Sequence, residues 1–149
     1  MEQEIKSFVS YLHEVKKTSQ NTELSYQRDL MKMMRFLKTQ KVEKFRDVTE
    51  TNLNSYILDL EKKGMAAATV SRNIASMKAF YLYMMRNGEV TTDPAENLKA
   101  PKVEKKAPDV LSVEEVEKLL AQPGDRTAKG LRDRAMLELL YATGIRVTE

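Results

Sequence analysis

Apolar residues recur along this chain at three- and four-residue steps, and no stretch alternates with a period of two. Ile5, Phe8, Val9, Leu12 and Val15 place an apolar stripe on a first helix over residues 2–17. Asn21 and Thr22 can cap a second, about 22 to 40, whose buried side is Tyr26, Leu30, Met33 and Leu37. Thr49 opens a third, in which Leu53, Tyr56, Ile57 and Leu60 repeat before Gly64, a left-handed stop. A fourth, 67–87, carries Val70, Ile74, Met77, Tyr81 and Met84 and closes at Gly88.

The rhythm then breaks. In TTDPAENL, Asp93-Pro94 suits the first turn of a helix, and the segment from Lys99 to Pro108 mixes two prolines with four lysines. Such a composition cannot bury apolar area and is expected to run extended, as a boundary between domains. Ser112-Val-Glu-Glu115 reads as a capping box opening a short helix through Leu119 and Leu120. A sixth helix, about 128 to 142, ends at Gly144. Without strand patterns, internal repeats or low-complexity tracts, the expected fold class is all-α.

Composition narrows the class. No apolar run approaches the ~20 residues that cross a bilayer, and the start, MEQEIKSFVS, is polar where an export signal would be basic and then apolar. There is no cysteine, hence no disulfide framework or thiolate metal site, and a cytoplasmic location is expected. His13 has no partners at ligand spacing, so neither a metal nor a cofactor is expected; the nine methionines read as core filling.

The net charge of +3 is weak, but its distribution is uneven. Residues 1–100 hold 16 Lys and Arg against 13 Asp and Glu, whereas 101–149 hold nine of each. From Lys62 to Gly88 there are five bases, Lys62, Lys63, Arg72, Lys78 and Arg86, and no acid. On the second helix, Arg28, Lys32 and Arg35 fall on one side at three- and four-residue steps. The fourth sets the small residues Ser71, Ala75 and Ala79 beside Arg72, Lys78 and Arg86. Small side chains let a flat surface approach closely, and the bases favour an anionic one. A solvated helix face remains the plain alternative for each cluster.

The segment LRDRAMLELLYATGIRVTE, Leu131 to Glu149, resembles the opening of the catalytic domain of tyrosine recombinases of the Xer and phage integrase type. The family pattern there is LRDrAlLELLYaTGlRvSEL, and Ile145 and Thr148 are the mild departures from it. NTELSYQRDLMKMMRFL, ATVSRNIASMKAFYLYM and the DPAENLKAPK linker resemble the family's core-binding domain, so the likeness covers nearly the whole chain.

The resemblance implies a four-helix, SAM-like core-binding bundle over residues 1–100, a linker over 101–108, and the first two helices of a truncated catalytic domain over 109–149. It implies double-stranded DNA as partner, with other recombinase protomers in a synaptic complex, and helices two and four over the major groove. The candidate DNA contacts are then Ser25, Arg28, Lys32, Arg35, Thr69, Ser71, Arg72 and Lys78. Arg72 and Lys78 lead among them because their stretch has no acid, while Ser25, Thr69 and Ser71 could equally be caps or bland surface. The linker lysines could be a solubilising tether or could track the DNA backbone.

Arg146 matches the family's first catalytic arginine. In that chemistry a tyrosine attacks the scissile phosphate to give a 3′-phosphotyrosyl link and a free 5′-hydroxyl. A planar, always-charged guanidinium can bind two of the non-bridging oxygens on which charge gathers. Taken alone, Arg146 could be no more than a cation favoured at a helix C-terminus. The lysine, the His-x-x-Arg pair and the nucleophilic tyrosine have no match within the chain, so strand cleavage by it is not expected. Met136, Leu137, Leu140 and Tyr141 would leave the sixth helix with a wet apolar side. A helical protein-interaction module sharing the four-helix shape is the alternative function.

Overall fold

A computed structural model describes residues 1–102 and 109–148; the expectations for 103–108 and Glu149 lie outside the described residues. The elements are α1 (Glu2–Glu14), α2 (Gln20–Thr39), a 3-10 turn (Phe45–Asp47), α3 (Glu50–Lys62), α4 (Ala67–Arg86), α5 (Val113–Leu120) and α6 (Ala128–Thr143). The described residues contain no strand. The chain divides into two compact units, Met1–Glu104 and Lys105–Glu149.

In the first unit α4 packs on α1, α2 and α3, as α2 does on α1, α3 and α4. Its buried side is wider than the expected stripe: beside Val70, Ile74, Met77, Tyr81 and Met84 it includes Phe80, Asn73 and Ser76. Phe80 meets Phe45 edge-on with ring centroids 4.8 Å apart and Phe8 at 5.5 Å, the offset geometry that aromatic quadrupoles favour. The polar pair is satisfied locally. The Ser76 hydroxyl donates to the Asn73 carbonyl at 2.8 Å, and the Asn73 amide donates to the Thr69 carbonyl and accepts from the Tyr56 hydroxyl at 3.0 Å.

Several boundaries differ from the expected ones for local chemical reasons. Helix α2 begins at Gln20 because Ser19, rather than Asn21 or Thr22, is the cap, its hydroxyl accepting from the Thr22 N–H. Helix α1 ends at Glu14, leaving Val15 exposed, and Tyr26 is half-buried. Asp93-Pro94 starts a turn, not a helix: the Asp93 carboxylate accepts the Ala95 N–H at 2.7 Å, and the turn sets Ala95 and Leu98 into the core. Thr49 caps α3 through a reciprocal box with Asn52, and Gly64 and Gly88 stand at φ +70° and +71° behind α3 and α4.

The second unit is the α5–α6 pair. Ser112 and Glu115 form the expected capping box, and Thr127 caps α6 through the Gly130 N–H. Gly130 is the one buried residue among those described there, and a Cβ on it would lie 1.7 Å from the Gly124 carbonyl oxygen, so no side chain fits.

Two expectations follow for the first unit. Phe45→Ala removes a fully buried ring that braces Phe80 and should lower unfolding free energy by about 3–5 kcal/mol in urea titrations; a loss under about 1 kcal/mol would show the 3-10 turn to be dispensable. Burial, reinforced by nearby carboxylates, pushes the Tyr56 and Tyr81 hydroxyls well above the ordinary tyrosine range. The folded state therefore holds these protons more tightly than the unfolded chain. Stability is complete below pH about 10 and falls above it, by up to about 1.4 kcal/mol per pH unit for each ring. Tyr81→Phe should flatten that alkaline loss in melts taken from pH 9 to 12, and an unchanged pH dependence would reject the assignment.

Candidate nucleic-acid interface

The exposed side of α2 runs through Asn21, Leu24, Arg28, Lys32, Arg35 and Thr39, the 3.6-residue complement of its buried Leu30, Met33 and Leu37. Arg28, Lys32 and Arg35 line one shallow groove of about 260 Å³ with Gln27 and Met31. Among the described residues no carboxylate pairs with any of the three. A second groove, about 690 Å³, runs between α2 and α3; Lys32 and Arg35 on one wall face Lys63 and Asp59 on the other, over Phe36, Tyr56 and Leu60. Lys63 had stood out in the sequence only as one base in an acid-free stretch, and its ammonium is bonded to Asp59 at 2.6 Å.

On α4, Ala67, Ala68, Arg72, Ala75, Leu82, Met85 and Arg86 are exposed, with Ser71, Lys78 and Ala79 half-buried beside them. The small residues and the bases thus share a face, as the spacing indicates. Arg72, however, is not a free cation. Its Nε donates to Asp29 Oδ2 at 2.8 Å and its Nη2 to Asp29 Oδ1 at 3.0 Å, a two-pronged ion pair between α4 and α2. Asp29 is 1% exposed and the Arg72 side chain 45%. The hydrogen bonds raise the guanidinium pKa further above its already high value. A stretch without acids therefore receives one from a helix 43 positions away, which no local charge count can register.

The remaining candidates are placed as follows. Lys78 donates to the Glu96 carbonyl at 3.0 Å, which pins the side chain without neutralising it. The Ser71 hydroxyl donates to the Pro101 carbonyl at 3.3 Å, so it ties the segment after α4 down. Thr69 and Ser25 are half-buried. The first turn of α4 has neither a capping side chain nor an acid, leaving the positive end of the helix unopposed. In the other unit, Gly144 takes a left-handed conformation at φ +65° and its N–H bonds the Leu140 carbonyl, ending α6 two residues before the exposed Arg146. Among the described residues no cluster of three His, Asp or Glu could hold a metal, and no helix is long and apolar enough to cross a membrane.

The sequence that builds these helices matches a known domain. Residues 5–88 fit the profile of "Phage integrase, N-terminal SAM-like domain", and the chain belongs to that family. Its relatives are tyrosine recombinases. XerD of Listeria innocua is 38% identical over 146 residues, 97% of this chain and 49% of the relative. XerC of Roseiflexus castenholzii is 35% identical over 150 residues, covering the whole chain and 48% of the relative. The chain thus spans about half the length of the curated relatives it matches. Among solved structures, the Tn1549 transposon integrase, determined in complex with circular intermediate DNA, has the same fold: TM-score 0.63, 18% identity, over 98% of this chain and 47% of that one.

The exposure of the two partners makes the pair asymmetric in its energetics. Arg72→Ala strands a carboxylate that is out of water and should cost about 3 kcal/mol of unfolding free energy. Asp29→Asn leaves a guanidinium already half in water and should cost clearly less. Equal losses in urea unfolding would contradict the asymmetry.

Proposed function

We propose that the chain is the DNA-binding front half of a site-specific tyrosine recombinase or integrase, gripping duplex DNA mainly through phosphates. Residues 1–100 are the core-binding domain, 101–108 the linker, and 109–149 the opening of the catalytic domain. The observation that carries the reading is the set of Arg28, Lys32 and Arg35, three exposed bases along one groove with no carboxylate partner among the described residues. Charge held out of ion pairs can displace the counterions condensed on a duplex, and that release is the main source of sequence-independent affinity. The Tn1549 integrase, which shares the fold, was determined with DNA.

Arg146 takes the role of the first catalytic arginine, stabilising negative charge on the attacked phosphate in a reaction that cuts and rejoins DNA through a 3′-phosphotyrosyl intermediate. No strand cleavage arises from this chain alone, because none of its six tyrosines stands in the nucleophile's context. Other recombinase protomers are its protein partners in the synaptic complex. The competing reading, a helical interaction module, draws on the exposed Leu131, Met136, Leu139 and Tyr141 of α6.

Fluorescence anisotropy on duplex DNA across a salt series tests the proposal. The chain should bind at low salt with an affinity that falls steeply as salt rises. Arg28→Gln/Lys32→Gln/Arg35→Gln should flatten the log–log slope by about 2–3, at ~0.9 for each phosphate no longer neutralised. Absence of binding at 20–50 mM salt would move the weight to the interaction module.

A further inference from the structure

Resting on the DNA-binding reading, we infer that Asp29 is a positioning residue: it neutralises and aims Arg72, so that Arg72 meets DNA as a fixed hydrogen-bond donor and not as a counterion-releasing cation. The sequence alone ranks Arg72 first among the phosphate-binding bases. The geometry reverses that order.

Asp29 is on α2, directly between Arg28 and Lys32 in register, yet its carboxylate points into the protein and is 1% exposed. Both its oxygens are taken by Arg72, Oδ2 by Nε at 2.8 Å and Oδ1 by Nη2 at 3.0 Å. A guanidinium has five N–H donors, and two are used here, so three remain on the edge that keeps Arg72 45% exposed. The pair as a whole carries no net charge. It contributes direction and rigidity, since the planar fork fixes the guanidinium against rotation and straps α4 to α2. A neutral pair releases few counterions when phosphate approaches. The salt dependence of binding is therefore assigned to Arg28, Lys32 and Arg35, with Lys78, whose only bond among the described residues is to a carbonyl, keeping its charge.

A further consequence concerns selectivity between duplexes. Masking Arg72 holds down affinity for any phosphate backbone and leaves a pre-aimed donor whose contribution depends on what lies opposite it. Removing the mask should strengthen indiscriminate binding.

The test is the same anisotropy salt series on mixed-sequence duplex, comparing the wild-type chain with Asp29→Asn and with Asp29→Asn/Arg72→Gln, each checked for folding by circular dichroism. Asp29→Asn should bind more tightly at low salt, with a slope steeper by about 0.9, one additional phosphate neutralised. The double variant removes both charges together, keeps a polar pair of similar size, and should hold the wild-type slope. A double variant flatter by about 0.9 would show Arg72 acting as a full cation in the complex and would overturn the inference, as would a folded Asp29→Asn with an unchanged slope. If Asp29→Asn does not fold, the double variant decides alone, because it leaves no buried charge unpaired. Failure of the wild-type chain to bind at low salt strikes the DNA-binding reading and this inference with it. Binding that responds to the α2 triple substitution but fails the double-variant criterion strikes this inference only.

Discussion

Phe80 is fully buried, and Phe8, Phe45 and Tyr81 close around it with ring centroids between 4.8 and 5.5 Å. Phe8 comes from α1, Phe45 from the 3-10 turn and Tyr81 from the position next to Phe80 in α4, so α1, the 3-10 turn and α4 converge on one point. The consequence is that α4 is enclosed over most of its circumference. The exposed residues of α4 run through Ala68, Arg72, Ala75, Leu82 and Arg86, with Ala67 and Met85 beside them. Groups on that stripe are held by a helix seated on a packed aromatic core, where an exchange of rotamers is costly. A side chain that meets a ligand there pays little further ordering entropy on binding.

The helices were legible because their signals are local. Gly64, Gly88 and Gly144 stand where stops were expected and take left-handed backbones, and the capping boxes at Thr49 and Ser112 are both closed. Where a signal was weak, so was the reading. The chain leaves α2 through Lys41, which adopts φ +61° without being glycine, while the Val42 N–H reaches back to the Leu37 carbonyl. Nothing in the letter K marks such a turn. The 3-10 turn at Phe45 escaped for a related reason: three residues are too few to show a period, and the ring that matters is recognised only by what it packs against.

Charge was the least legible part of the site. Periodicity correctly puts Arg28, Lys32 and Arg35 on one face and Arg72 on another, because those assignments depend only on helix geometry. Whether a base is available to a ligand depends instead on carboxylates brought near by the fold. Asp29 was read only as one acid in the first hundred residues, and Lys63 only as a base in an acid-free run. Folding pairs the first with Arg72 and the second with Asp59. Two of the five bases between Lys62 and Gly88 are thus neutralised, one by a distant helix and one from the preceding turn of its own helix. The α2 cluster, the weaker candidate on sequence grounds, keeps its charge.

The second unit poses the opposite problem, since its motif is the most legible in the chain and its structure the least self-supporting. Helix α6 spreads Leu131, Met136, Leu139 and Tyr141 around its surface, all exposed, and among the described residues of its unit only Gly130 is buried. A helix with large apolar residues on several sides, between its charged ones, suits the interior of a larger core. A sixteen-residue helix held mainly by its Thr127 cap and its Gly144 stop is only marginally stable by itself. Phosphoryl chemistry needs its charged groups placed to within a fraction of an ångström. Arg146, three residues beyond the end of α6, inherits whatever rigidity that helix has. For the catalytic role proposed for Arg146, precision would be set by what covers the apolar surface of α6, and the local sequence around Arg146 supplies only its direction out of the helix.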